Sequence, residues 1–217
     1  RQMCIRDSVG TGGDKIKTIN LSTISAFVLA SSGITIAKHG NRAATGKCGS
    51  ADVLDRLGYR LDTKPEKVKE SIEKNGIGFM FAPIFHPAMK NVIGTRKEIG
   101  VRTIFNILGP LTNPASADSM IVGVANTELV DKYSKILPEL GCKRAIIVHG
   151  LDGLDEIATF GETKMRFIGD LENEGKEIIV KPDDFGLKKI NAQEIAGTGI
   201  EYNAEVMYKI CLLYTSP

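Results

Sequence analysis

The sequence contains no apolar run near the roughly 20 residues a helix needs to span a bilayer, which argues against a membrane protein of that kind. It also lacks a CxxC pair. Its four cysteines, Cys4, Cys48, Cys142 and Cys211, lie far apart, giving neither zinc-ligand spacing nor a disulfide framework and fitting a reducing cytoplasm. An excess of one charge is missing too: 28 basic side chains stand against 26 acidic ones, a net charge of +2. A nucleic-acid binder ordinarily shows a broad basic face, so no nucleic-acid partner is expected. Arg1 to Gly13 is too polar for the apolar core of a signal peptide, and no repeat, low-complexity tract or linker interrupts the chain. What remains is a 217-residue chain, 42% hydrophobic and 25% charged, of ordinary globular composition and long enough to bury a sizeable core.

Short β-like runs alternate with helical periods, which predicts one α/β domain. Strands are expected at "ITIAK" (34–38), "IGFMF" (77–81), "SMIVGVA" (119–125), "RAIIVHG" (144–150) and "KEIIV" (176–180). Helices are expected at 22–33, capped by Ser22 or Thr23 and stopped by Gly33, and at 50–58, 65–76 and 128–141, the last disturbed near Pro138.

Three segments could carry chemistry. "VGTGGDK" (9–15) has glycines that let a backbone turn sharply and bring its N–H groups to a phosphate, although Asp14 would repel that phosphate unless a metal or hydroxyl intervened. "NLST" (20–23) opens a helix; Asn20, Ser22 and Thr23 are either caps or the hydroxyl-lined mouth of an anion site. "KHGNRAATGKCGSAD" (38–52) crowds cations before a run of small residues leading into another helix. There Lys38 is a point charge, the N–H groups from Gly46 to Ser50 suit a pyrophosphate, and Asp52 adds charge complementarity to the helix start. Each segment alone reads best as a turn or a cap. Three within 45 residues, two of them at helix starts, make an anion site the better reading.

The order and spacing of "VGTGGD", "NLST", "KHGNR" and "GSAD", extended by "HPAMK" (86–90), "RKEIGVRTIFNILGPLTNPA" (96–115) and "GLDEI" (153–157), resemble the anthranilate phosphoribosyltransferases, pentosyltransferases of tryptophan biosynthesis. The resemblance covers about Val9 to Asn203. It implies a central mixed β-sheet flanked by helices, of the nucleoside phosphorylase/phosphoribosyltransferase type. It also implies transfer of the phosphoribosyl group of phosphoribosyl pyrophosphate (PRPP) to the amino group of anthranilate, with Mg²⁺ as the metal. Gly10, Gly12, Gly13 and Asp14 would then form the first PRPP loop. Asn20, Ser22 and Thr23 would bind phosphate and hydroxyl groups, and Lys38, Gly46, Gly49 and Ser50 would cradle the remaining phosphates. Ser22, Asp155 and Glu156 are the implied metal ligands. Arg96, on a helix expected over about 89–100, matches the arginine for the anthranilate carboxylate, while Gly10, Asn41, His39 and His86 line the same pocket, His39 and Asn41 positioning rather than catalysing. Arg102 and Asn106 would brace it.

The resemblance further implies a homodimer in the intact protein, formed through a small N-terminal helical domain that is not found here; C-terminal helices beyond about Tyr208 are not found either. The catalytic domain is expected over 9–208. The ends, 1–8 and 211–217, resemble translated sequencing adapters and are expected to be non-native. Two other functions fit the glycine-rich loops less well. A pyrimidine nucleoside phosphorylase of the same fold would not need Arg96, His86 and the acid pair, and a non-catalytic nucleic-acid-binding paralogue would not need Asp155 and Glu156.

Overall fold

A computed structural model describes residues 4–13, 16–43, 48–99, 103–169 and 173–212. A seven-stranded sheet runs through the molecule in the order β3-β2-β1-β4-β5-β6-β7. Its strands are β1 (Arg6–Gly10), β2 (Ile36–Gly40), β3 (Ile77–Phe81), β4 (Ser119–Gly123), β5 (Arg144–Gly150), β6 (Thr163–Gly169) and β7 (Glu177–Val180). Strands β1 to β5 pair in parallel, and β6 and β7 complete the sheet antiparallel, so the sheet is mixed, as expected. The helices are α1 (Leu21–Ser31), α2 (Ser50–Arg56), α3 (Pro65–Asn75), α4 (Ala82–Phe85), α5 (Lys90–Ile99), α6 (Phe105–Leu108), α7 (Thr127–Glu139) and α8 (Ile200–Leu212).

Phe79 and Met80 are adjacent on β3 yet enter different clusters, as side chains alternating across a strand must. Phe79 packs with Ile24, Val53, Leu54, Ala204 and Met207 of α1, α2 and α8. Met80 packs with Val68 and Ile72 of α3. Ile5 touches both the α3 cluster and the cluster under α7, built from Val122, Val130, Tyr133, Leu137 and Ile147. Helices α3 and α7 therefore share one face of the sheet, and α1, α2 and α8 cover the other. Asn126 caps α7, its side chain accepting from Leu129 N–H at 3.1 Å, and Gly76 ends α3 at φ +75°.

Several boundaries differ from the sequence reading. Strand β2 starts at Ile36 rather than Ile34 because Ile36 opens the parallel register with Ile77. Lys38, expected as the last strand residue, therefore sits mid-strand, and His39, expected in the loop after it, belongs to the strand too; both are buried. Helix α1 has Asn20, not Ser22 or Thr23, at its N-cap position, and the Asn20 side chain makes no capping bond. Ser50 is the first helical residue of α2 and its hydroxyl donates to the Asn41 carbonyl at 3.3 Å instead of capping. Strand β1 begins at Arg6, ahead of the expected domain start at Val9, and pairs with β4 along its whole length. Helix α8, not anticipated, runs to Leu212. Strand β6 was missed because Lys164 and Arg166 interrupt its apolar pattern; they pair instead with Glu177 on β7.

Candidate active site

The chain leaves β1 for β2 and β3 on one side, then returns to β4 on the other. The carboxyl ends of β1 and β4 thus flank a topological switch point, where loops diverge and open α/β sheets leave room for ligands. A cleft of about 790 Å³ opens there. Gly10 and Gly123 end these two strands, and both lie against Asp155. A Cβ on Gly10 would sit 2.5 Å from the Asp155 carboxylate, and one on Gly123 would overlap the Asp155 carbonyl. The missing side chains let the "GLDE" loop after β5 close onto the first glycine loop. Asp155 then accepts a hydrogen bond from Gly12 N–H at 2.6 Å, and Gly12 and Gly13 turn with φ of +67° and +76°.

Lys38 is buried beneath this loop, its Nζ donating to the Ser8 carbonyl at 2.7 Å and Ser22 Oγ at 3.4 Å. Burial lowers its pKa, and the negative charges of Asp7 and Glu156 partly restore it. Asp7, buried on β1, takes the opposite shift: burial pushes its carboxyl up to about 6, opposed by the Lys38 charge and the Asn113 hydrogen bond at 2.7 Å. At the mouth of α1, Thr23 is fully buried and its hydroxyl finds no hydrogen-bond partner among the described residues. Asn20 is held by Asn203 of α8, which donates to its Oδ1 at 3.0 Å, and itself donates to the Cys48 carbonyl at 3.4 Å.

The other end of the cleft is more apolar, with Pro83, Phe85, Met89, Leu108 and Pro110 among its walls. His39 and His86 meet there, Nε2 to Nε2 at 3.2 Å, with rings edge to face and centroids 5.0 Å apart. Burial is the main cause that lowers His39 to about 4, helped by His86, while a hydrogen bond to the Gly109 carbonyl works against it. Asn106 lines the cleft but its Oδ1 accepts from Thr103 N–H at 2.9 Å, a bracing contact.

The cleft gathers Gly10, Gly12, Gly13, Asn20, Ser22, Thr23, Lys38, His39, Asn41, Gly49, Ser50, His86, Asp155 and Glu156, all singled out in the sequence. Asp14, Gly46, Arg102 and the Arg96 side chain lie outside the described residues; Arg96 belongs to α5. Thr11, Thr18, Arg42, Cys48 and Asn203 also line the cleft without having been assigned a site role. Thr18 and Asn203 carried no local signal, since the first pairs with Ala196 in an isolated bridge and the second reaches Asn20 from 183 residues away. Ser22, Asp155 and Glu156 offer only hard oxygen donors, the set that suits Mg²⁺. Among the described residues no group of three or more His, Cys, Asp and Glu could hold a metal ion, so a metal here would need further oxygens from water or ligand.

Residues 2–212 match a family described as the glycosyl transferase family, a/b domain. The chain is 48% identical over 207 residues to anthranilate phosphoribosyltransferase of Persephonella marina, covering 94% of this chain and 60% of that protein. Against the Geobacter sulfurreducens enzyme of the same name the identity is 50% over 217 residues, 100% of this chain and 61% of that one. Among solved structures, the Thermus thermophilus anthranilate phosphoribosyltransferase superposes with a TM-score of 0.87 at 44% identity, covering 96% of this chain and 61% of that one. The Saccharomyces cerevisiae enzyme in complex with PRPP and Mg gives 0.88 at 34% identity, with 96% and 57% covered. The chain thus spans about 60% of the length of the curated relatives it matches. With a family match over nearly its whole length and the same fold as these structures, the chain belongs to the glycosyl transferase family as its a/b domain.

Proposed function

We propose that this chain carries the catalytic domain of an anthranilate phosphoribosyltransferase. The observation that carries the reading is one cleft with two chemically distinct ends: glycine loops, hydroxyls, a buried lysine and two carboxylates at one, and two histidines among apolar walls at the other. A polyanionic sugar phosphate suits the first end and a flat aromatic acid suits the second.

In the reaction, the bond from the ribose C1 to the pyrophosphate oxygen breaks and pyrophosphate leaves with the electron pair. The anthranilate nitrogen bonds to C1 and releases a proton. Positive charge builds at C1 and negative charge on the leaving group, so holding the anion and aligning the nucleophile are the main requirements. Lys38, Ser22, Thr23 and the 9–13 backbone would hold phosphate groups. His39, neutral near pH 7, His86 and Asn41 would orient the amine and ring without obligatory base catalysis, because an aniline-type nitrogen is already unprotonated there. Arg96 would meet the acceptor carboxylate with its guanidinium fork. Ser22, Asp155 and Glu156 would hold Mg²⁺, which when bound neutralises phosphate charge.

The intact protein would act as a homodimer in the cytoplasm; among the described residues, no helix is long and apolar enough to cross a membrane. The test is the loss of anthranilate fluorescence when PRPP and Mg²⁺ are added to the purified chain. Loss that requires both additions is the expected result. No loss from this chain, and none from the same chain extended to the length of its relatives, would overturn the reading.

A further inference from the structure

Residues 195–203 fold back over the segment that leads into α1. Gly197 N–H donates to the Lys17 carbonyl at 2.8 Å and Ile19 N–H to the Ile195 carbonyl at 2.9 Å, with Thr18 and Ala196 bridged between them. The approach is close: a Cβ on Gly197 would lie 2.5 Å from the Thr18 carbonyl oxygen and 2.9 Å from Asn203 Oδ1. Asn203, near the start of α8, then reaches Asn20 at the mouth of α1, its Nδ2 donating to Asn20 Oδ1 at 3.0 Å. The Cys48 thiol donates to the same oxygen at 3.5 Å, and Asn20 Nδ2 donates to the Cys48 carbonyl at 3.4 Å.

Two facing amides could be turned either way, but the Cys48 carbonyl only accepts. It fixes Asn20 Nδ2 on its own side and Asn20 Oδ1 on the side of Asn203, so Asn203 has to present its N–H. Asn20 stands at the N-cap position of α1 without capping it. It is half-buried and lines the cleft, and among the described residues its second Nδ2 hydrogen has no acceptor. Thr23, three residues on, brings to the same cleft a fully buried hydroxyl with no partner among the described residues. A phosphate or sugar oxygen would take donors from this helix mouth, whereas a reversed Asn20 would turn its own oxygen toward the anion. Asn203 is 2% exposed, and its Oδ1 is buried with no hydrogen-bond partner among the described residues. Burying half an amide unpaired costs free energy that an apolar side chain would not, so packing of α8 does not account for an asparagine here. We propose that Asn203 is a positioning residue for the sugar-phosphate end of the cleft: it locks the sense of the Asn20 amide, so that the free Asn20 N–H serves an oxygen of the ligand. The inference rests on the PRPP reading of that end.

The test is a double-mutant cycle on the whole chain. Asn203→Leu, which keeps the branched shape and removes the donor, is made both with Asn20 present and with Asn20→Ala. PRPP with Mg²⁺, and anthranilate separately, are titrated by calorimetry. Asn203→Leu is expected to weaken PRPP binding about tenfold, Asn20→Ala to do the same, and the pair to lose no more than about twofold beyond either one. Anthranilate binding should stay within about twofold throughout. Losses that multiply in the double variant would mean that Asn203 acts by another route, through the Cys48 thiol it also reaches or on the ligand itself, and would overturn the inference. Unchanged PRPP binding in either single variant, or equal losses for both ligands, would overturn it too; all of these leave the PRPP reading standing. Failure of the unsubstituted chain to bind PRPP would remove the PRPP reading and the inference with it. Should Asn203→Leu fail to melt cooperatively, Asn203→Ser, whose hydroxyl is too short to reach Asn20, takes its place in the cycle and is held to the same outcomes.

Discussion

His39 and His86 face each other Nε2 to Nε2 across 3.2 Å, and only one of the two nitrogens can hold a proton in a neutral hydrogen bond. The Gly109 carbonyl also bonds the His39 ring. Since a carbonyl accepts, the His39 proton belongs on the nitrogen turned to Gly109, which leaves Nε2 to receive the proton of His86. With its pKa lowered to about 4, chiefly by burial, His39 should keep this one neutral tautomer throughout the physiological range. Nitrogen-15 imidazole shifts recorded from pH 5 to 8 check this. A charged His39 at pH 6 would contradict both the burial argument and the assigned hydrogen-bond direction.

The two buried groups below the cleft should pull stability in opposite directions with pH. His39 titrates near 6.5 unfolded and about 4 folded, so from pH 4 to 6.5 the unfolded state binds more protons and this term makes stability rise with pH. Asp7 titrates near 3.8 unfolded and about 6 folded. From pH 3.8 to 6 the folded state therefore binds more protons, and this term makes stability fall as pH rises. Each amounts to roughly 3 kcal/mol over its window, so they largely cancel. His39→Gln should expose the falling slope and Asp7→Asn the rising one, read as slope changes against the unsubstituted chain in urea unfolding at pH 4.5, 5.5 and 6.5. Identical slopes in all three proteins would refute the pairing. Carboxylates held low by surface partners, such as Asp118 with Lys143, are common to the three and drop out of the comparison.

Gly123→Ala should be costly although alanine is the smallest possible addition. Its Cβ overlaps the backbone carbonyl of Asp155, so the loop carrying both cleft carboxylates has to move, and no side-chain rotation relieves it. A loss of about 1–3 kcal/mol is expected from overpacking of this kind. Gly199→Ala, where a Cβ meets nothing within 4 Å, is the matched control and should change stability by no more than about 0.5 kcal/mol. Thermal melting separates them; equal melting temperatures would mean the Asp155 loop yields freely.

Local sequence carried most of the anion end because its chemistry is local. The glycines of 9–13, the hydroxyls of 20–23 and Lys38 each announce a type of contact through residue type and spacing. Strands "IGFMF" and "RAIIVHG" matched β3 and β5 because buried parallel strands are short continuous apolar runs. What stayed hidden depends on distant partners. Nothing near Asn203 indicates that it steadies Asn20, and nothing near Asp7 indicates that Asn113 reaches it from 106 residues away. Asp52 looked like simple helix-start complementarity, since its bond to Ala43 depends on how the intervening loop returns. Strand β6 was obscured by Lys164 and Arg166, whose charges are matched across the hairpin by Glu177.

Asp155 and Glu156 are neighbours in sequence but should separate in experiment. Asp155 is 7% exposed and its carboxylate already holds the Gly12 N–H at 2.6 Å, so Asp155→Asn weakens the glycine loop as well as any metal site. A hydrogen bond to a charged group contributes roughly 1.5–3 kcal/mol, and a melting temperature lowered accordingly is expected together with lost Mg²⁺ dependence. Glu156 acts on Lys38 through its charge and is partly exposed in the cleft, so Glu156→Gln should spare stability to within about 1 kcal/mol while still raising the Mg²⁺ concentration needed for half-maximal PRPP binding. Calorimetric PRPP titrations at several Mg²⁺ concentrations, with melting curves alongside, distinguish the two effects. If Glu156→Gln leaves the Mg²⁺ requirement unchanged, the metal role passes to Asp155 alone. If neither variant alters it, the pair serves only to close the loop over Gly10 and Gly123.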